Sequence, residues 1–110
     1  MPKRDADLLV EDMLAAIRKI ERYIEGMDQE QFGQDEKTVD AVARNLEILG
    51  EATRQLPENF IAQFPTVPWR QMAGLRSRIV HDYFGLDLEI IWQVVRHDLP
   101  GLRAQLESLA

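Results

Sequence analysis

Val39-Asp-Ala-Val-Ala-Arg-Asn-Leu-Glu-Ile-Leu-Gly-Glu-Ala-Thr-Arg-Gln-Leu56 sets apolar residues at Val39, Val42, Leu46, Leu49, Ala52 and Leu56. Alternating gaps of three and four are the stripe of an amphipathic helix, and Pro57 stops it. Upstream, about Asp7 to Met27 repeats the pattern with Val10, Met13, Leu14, Ile17, Ile20 and Ile24, and Gly26 lies near its end. The polar stretch Asp28 to Asp35, with Gly33, reads as the loop between these two helices. Downstream, Pro57 to Phe64 reads as one short helix with Pro57 in its first turn. Pro65 and Pro68 bracket a tight connection, and Pro68 suits the start of a helix from about Trp69 to Tyr83, broken by Gly85. Asp87 is a good N-cap for a final helix through Leu88, Ile91, Val94 and Val95. Pro100-Gly101 should kink that helix or begin a new one ending near Leu109. No stretch alternates with a strand period. The pattern predicts an all-α fold, an up-and-down four-helix bundle with a short extra helix, forming one domain over residues 1–110.

At 45% hydrophobic and 29% charged residues, the chain has ordinary globular composition. One copy of this size buries its apolar surface only modestly, which favours an oligomer. The absence of cysteine excludes disulfides and thiolate metal sites and fits a reducing compartment. Met-Pro-Lys-Arg-Asp-Ala-Asp at the N-terminus has no apolar segment behind it, so no signal peptide is read. No apolar run approaches the roughly 18–20 residues of a membrane span, and a cytoplasmic location is expected. A net charge of −6 argues against a generic nucleic-acid binder. Its distribution qualifies that: residues 1–60 carry 8 Lys/Arg against 14 Asp/Glu, and residues 61–110 carry 5 against 5. The five bases of the second half are all arginines (Arg70, Arg76, Arg78, Arg96 and Arg103), whose planar forks suit phosphate.

On the helix predicted from Trp69, a straight 100° step gathers Trp69, Met72, Ile79 and Val80 on one face, with Arg76 and Tyr83 among them. An arginine in an apolar stripe is costly unless it reaches the rim, pairs with a carboxylate such as Glu47 or Glu51, or lies in an interface between subunits. His81, five residues on, would point roughly 140° away from Arg76 on a straight helix. The two side chains therefore meet only if the helix loosens before His81, the arginine wraps round the axis, or a second copy completes the site. The last of these fits an apolar face that carries arginine and tyrosine. A lone histidine near a helix end is, by itself, more often a cap than a catalyst.

Arg76, His81 and Tyr83 together form R-x4-H-x-Y, which resembles the signature of HepT-type toxins of the HEPN (higher eukaryotes and prokaryotes nucleotide-binding) superfamily. Arg44-Asn-Leu-Glu-Ile-Leu-Gly-Glu-Ala52 resembles that family's second helix. Pro68-Trp69 before the motif, Tyr83-Phe-Gly85 after it, and Trp92 with Asp98-Leu-Pro100 extend the likeness over about residues 7–105. Ser77 departs from the Asn often found after the motif arginine. The resemblance implies a HEPN-like bundle and a homodimer whose motif helices face each other across a cleft for RNA. It also implies a partner, a minimal nucleotidyltransferase antitoxin (MNT type) that transfers AMP from ATP to the motif tyrosine, here Tyr83; whether dimers assemble with it into a higher complex is left open by the sequence.

These residue types suit metal-independent RNA cleavage. The 2′-hydroxyl is an internal nucleophile already near the phosphorus. Histidine, with an unperturbed pKa of about 6.5, serves as base or acid near neutral pH. A permanent guanidinium clamps the nonbridging oxygens as charge builds. His81 is thus assigned as general base or acid, Arg76 as phosphate clamp, and Tyr83 as a substrate-placing group and the modified residue. Ser77 and Arg78 are candidate substrate contacts, although Arg78 reads equally as a solvated charge. His97 lies outside the motif. No HExxH occurs and the two histidines stand 16 positions apart, so neither a metal site nor a cofactor is assigned. The alternative function is a non-catalytic HEPN helical module that partners a nucleotidyltransferase.

Overall fold

The computed structural model describes residues 5–81 and 85–109; the side chain of His81 lies outside the described set. Helix α1 runs over Ala6–Tyr23 and is followed by a turn in which Gly26 takes φ +77°, the left-handed conformation that glycine enters without penalty. Every apolar residue of the predicted first stripe, Val10 through Ile24, is buried. Helix α3, Glu36–Arg54, buries Val39, Val42, Leu46, Leu49 and Ala52, and Leu56 just beyond it is buried as well. These two long helices pack against each other along their length and hold the centre of the core.

The predicted loop between them contains a short helix instead. Helix α2, Gln29–Gln34, is fixed by a reciprocal cap in which the Gln31 N–H donates to the Asp28 carboxylate at 2.8 Å and the Asp28 N–H donates to Gln31 Oε1 at 3.0 Å. Its Phe32 is buried against Trp92, ring centroids 5.3 Å apart, and that apolar anchor secures so short a helix.

Asp35 caps α3 by accepting the Thr38 N–H at 3.1 Å, and this backbone hydrogen bond holds its carboxyl below the ordinary carboxylate value. A depressed folded pKa gives stability that is present above the unfolded value and is lost as pH falls. Asp35→Ala should therefore melt below the parent at about pH 6, with the gap closing towards about pH 2. Asp35→Asn, which caps without titrating, should start from a smaller gap at about pH 6 and shift against the parent by the same amount towards about pH 2; melting curves at both pH values check this.

After Pro57, which precedes rather than enters the helix, α4 covers Glu58–Ala62. Trp69 Nε1 donates to the Phe64 carbonyl at 2.9 Å, tying down the connection between Pro65 and Pro68. The predicted helix from Trp69 to Tyr83 divides into α5, Trp69–Ala73, and α6, Leu75–Ile79, with Gly74 between. It ends four residues before Tyr83. Val80 takes φ −109°, ψ 121°, and Val80–His81 forms a short strand, β1, antiparallel to β2, Gly85–Leu86. Two successive β-branched residues, Ile79 and Val80, favour this exit from the helix. Gly85, at φ +76°, accommodates the turn back.

Asp87 caps α7, Leu88–Gln93, by accepting the Ile90 N–H at 3.0 Å, as expected. Leu88, placed on the apolar stripe by sequence, is 39% exposed. The final helix bulges before Pro100. Val94–Asp98 is a π-helical turn, in which the Leu99 N–H reaches Val94 O, and α8 follows over Leu99–Glu107. Proline has no N–H to donate and its ring presses on the carbonyl four residues back, so a wider turn relieves the chain at that point. α8 closes on α1 through Arg103, whose Nε lies 2.9 Å from Glu21 Oε1, and through Arg18–Glu107 at 3.3 Å. The result is the expected all-α bundle, with a two-residue strand pair as its one departure among the described residues.

Candidate functional site

The candidate residues occupy the end of α6 and the hairpin after it. Leu75 and Ile79 turn inwards, at 3% and 0% exposure, and anchor α6 on α3 and α7. Arg76, Ser77 and Arg78 are all exposed. The straight-helix prediction that Arg76 sits within the buried stripe is thereby corrected. Leu75 rather than Arg76 takes the inward position between Met72 and Ile79. The carboxylates suggested as partners for Arg76 are engaged elsewhere, Glu47 with Arg44 at 3.8 Å and Glu51 with Arg54 at 3.7 Å.

The break at Gly74 has a specific cause on the opposing helix. A Cβ built on Gly50 of α3 would lie 3.1 Å from the Met72 carbonyl oxygen and 3.7 Å from that of Ala73. The C-terminal carbonyls of α5 thus rest directly on a bare stretch of α3, and this contact sets where α6 starts. Sequence reading placed Gly50 within a familiar stretch but gave it no role. A glycine inside an otherwise strong helical stripe was the available signal.

The Val80 N–H still donates to Arg76 O, the last helical bond, and the next residue is His81 in extended backbone. His81 pairs with Gly85, and the Asp87 N–H donates to Ile79 O at 2.7 Å, closing the hairpin across its base. Of the three ways sequence left open for Arg76 and His81 to meet, the helix does end before His81. The 140° divergence, which assumed a straight helix to Tyr83, therefore does not apply. Asp82, Tyr83 and Phe84 connect the paired residues and lie outside the described set, so the assignment of Tyr83 as the modified residue falls there too.

Charge isolates the segment. No Asp or Glu occurs between Glu58 and Asp82, an interval that holds Arg70, Arg76 and Arg78. Among the described residues these three make no ion pair, whereas Arg18, Arg44, Arg54 and Arg103 each do. Arg96 lies over the Trp92 ring at 5.5 Å. An acidic protein thus presents a local cationic helix that pairs with no carboxylate among the described residues, the condition for an anion site.

Comparison with known proteins defines the class. The ribonuclease HepT-like family pattern matches residues 13–109, and the chain belongs to that family. It is 40% identical over 107 residues to a Thermococcus cleftensis protein named "Probable ribonuclease HepT", covering 97% of each chain. It is also 40% identical over 109 residues to "Putative RNase MJ0127" of Methanocaldococcus jannaschii, covering 99% of this chain and 90% of that one. A third relative, "Putative RNase TTE0752" of Caldanaerobacter subterraneus, is 38% identical over 90 residues, or 82% and 80% of the two chains. No solved structure matches the chain. No described helix is long and apolar enough to cross a membrane.

Proposed function

We propose that this protein is a metal-independent ribonuclease, the toxin of a toxin–antitoxin pair, in which Arg76 and His81 act on an RNA phosphodiester. The observation that carries the reading is the state of Arg76: exposed, without an internal ion pair among the described residues, and one helical turn before the helix ends ahead of His81. The names borne by relatives at 40% identity support the same activity.

In the proposed reaction His81 removes the 2′-hydroxyl proton, and the 2′-oxygen attacks the adjacent phosphorus. Arg76 neutralises the charge that builds on the nonbridging oxygens. The bond to the 5′-oxygen breaks and that oxygen takes up a proton, leaving a 2′,3′-cyclic phosphate and a free 5′-hydroxyl. A second histidine from the other protomer of a homodimer supplies the acid for the last step. That dimer rests on the family likeness, since its geometric premise, the straight-helix divergence, no longer stands. Purified chain should cut unmodified RNA, and intact RNA after incubation would refute the reading.

Regulation is proposed to act on Tyr83. An MNT-type nucleotidyltransferase transfers AMP from ATP to the tyrosine oxygen, forming a phosphodiester and releasing pyrophosphate. The bulky anion then competes with RNA for Arg76. Intact mass after coexpression with the nucleotidyltransferase should rise by one or more AMP units, and Tyr83→Phe should abolish the rise. An adduct that persists in that variant would exclude Tyr83 as acceptor.

A further inference from the structure

A groove of about 400 Å³ runs between α5–α6 and the π-helical turn with the start of α8. Its floor is apolar, made by Met72, Leu75 and Leu102, and its rim is polar, made by Gln71, His97 and Asp98. The proposed chemistry uses none of these residues. Size and lining are those of a site for a small, flat, partly polar ligand.

Two further observations specify that ligand. Although Gly74 divides α5 from α6, the Gly74 N–H donates to Arg70 O at 3.1 Å and the Arg78 N–H to Gly74 O at 3.3 Å, so helical register carries through. Gln71 and Leu75 line the groove, and Arg78, spaced i, i+4, i+7 with them, follows one turn beyond Leu75 on the same stripe, exposed and without an ion pair among the described residues. The second observation is Gly101, which lines the opposite wall. It lies inside α8, its φ is not positive, and a Cβ there would meet nothing within 4 Å. Neither backbone conformation nor packing calls for glycine, one of the least favourable residues in a helix. What the missing side chain does is leave the groove open.

We infer that this groove is a nucleotide subsite for the RNA strand, with one base lying on Met72, Leu75 and Leu102 and its phosphate held by Arg78. Asp98, an acceptor on the rim, selects a base that bears an exocyclic amine, as carboxylates do when they accept from cytosine. The inference rests on RNA being the substrate and extends the contact surface beyond Arg76 and His81. It also gives a use to the α5–α6 arginines that make no ion pair among the described residues, next to a histidine-bearing π turn.

The test uses 2′-O-methylated oligocytidylate and oligouridylate, which lack the attacking hydroxyl, with binding to the whole chain followed by fluorescence anisotropy over a salt series. Gly101→Leu should weaken oligocytidylate binding about tenfold, the scale of one stacked base. Melting at or above the parent temperature would show that the fold is kept. Arg78→Gln should flatten the dependence of log K on log salt by about 0.7, one single-strand phosphate contact. Asp98→Ala should abolish the preference for oligocytidylate over oligouridylate. Parent-like affinity and salt slope in the folded Gly101→Leu and Arg78→Gln chains would overturn the subsite while leaving RNA as substrate intact. A change of oligomeric state in Gly101→Leu without a change in RNA affinity would assign the groove to a second copy and overturn it equally. If the parent binds neither oligonucleotide and cuts no RNA, the functional reading itself fails.

Discussion

Arg76→Ala and His81→Ala chains are expected to fold as the parent and to lose RNA cleavage. Losing the proton-transfer group should slow cleavage by about 10²–10⁴-fold. Losing a charge clamp on the developing phosphorane should slow it by about 10²–10³-fold. Folding should survive because Arg76 is exposed and makes no ion pair among the described residues, so its truncation leaves no buried group without a partner. Arg76→Lys separates charge from shape: a lysine keeps the positive charge but loses the planar two-point grip, so only part of the activity should return. Single-turnover cleavage of a labelled RNA, with melting temperatures measured alongside, checks all three. Parent-level cleavage by His81→Ala would remove histidine from the mechanism.

The second large effect concerns Gly50. A leucine there would press on the carbonyl oxygens of Met72 and Ala73, the nearest only 3.1 Å from the first side-chain atom, and neither oxygen belongs to a flexible side chain that can swing away. The backbone of α5 must move. Overpacking of this kind costs about 1–3 kcal/mol and occasionally more, and a longer side chain against fixed backbone belongs at the upper end. The consequence should extend to function, since the α5–α3 contact sets where α6 begins and hence where Arg76 stands. Gly50→Leu is expected to lower the urea midpoint and to reduce cleavage even where the protein remains folded. Gly50→Ala should show both effects in reduced form. An unchanged midpoint in Gly50→Leu would mean that α5 is not seated as described.

How much of this was legible in the sequence differs from element to element. The stripes of α1 and α3 were readable because each holds its period over several turns, and a long period resists accidental interruption. Helix α2 was missed because Phe32 is its single buried residue, which leaves no period to detect; the Asp28-x-x-Gln31 pair was the cue. Pro100 marked a disturbance correctly, but its form, a π turn beginning at Val94, depends on how α7 and α8 pack.

The site was legible as a set of residue types rather than as a geometry. Extrapolating one straight helix from Trp69 put Arg76 in the core and swung His81 away from it. Contact with Gly50 breaks that helix at Gly74, and the β-pairing of His81 with Gly85 ends it at Ile79. Both causes lie outside the segment itself. Arg78, ambiguous as a surface charge in sequence, gains meaning only beside the groove that α8 completes.

Metal-free attack by the 2′-hydroxyl is the central claim, and the chemistry of the product ends tests it most directly. An RNA oligonucleotide would be incubated with the purified, unmodified chain in excess EDTA and its fragments weighed by mass spectrometry. The account predicts cleavage that persists in EDTA, with 2′,3′-cyclic phosphate on one fragment and 5′-hydroxyl on the other. The same oligonucleotide with 2′-deoxyribose at the cut position should stay intact there. Cleavage that stops in EDTA, or that leaves a 5′-phosphate, would contradict it.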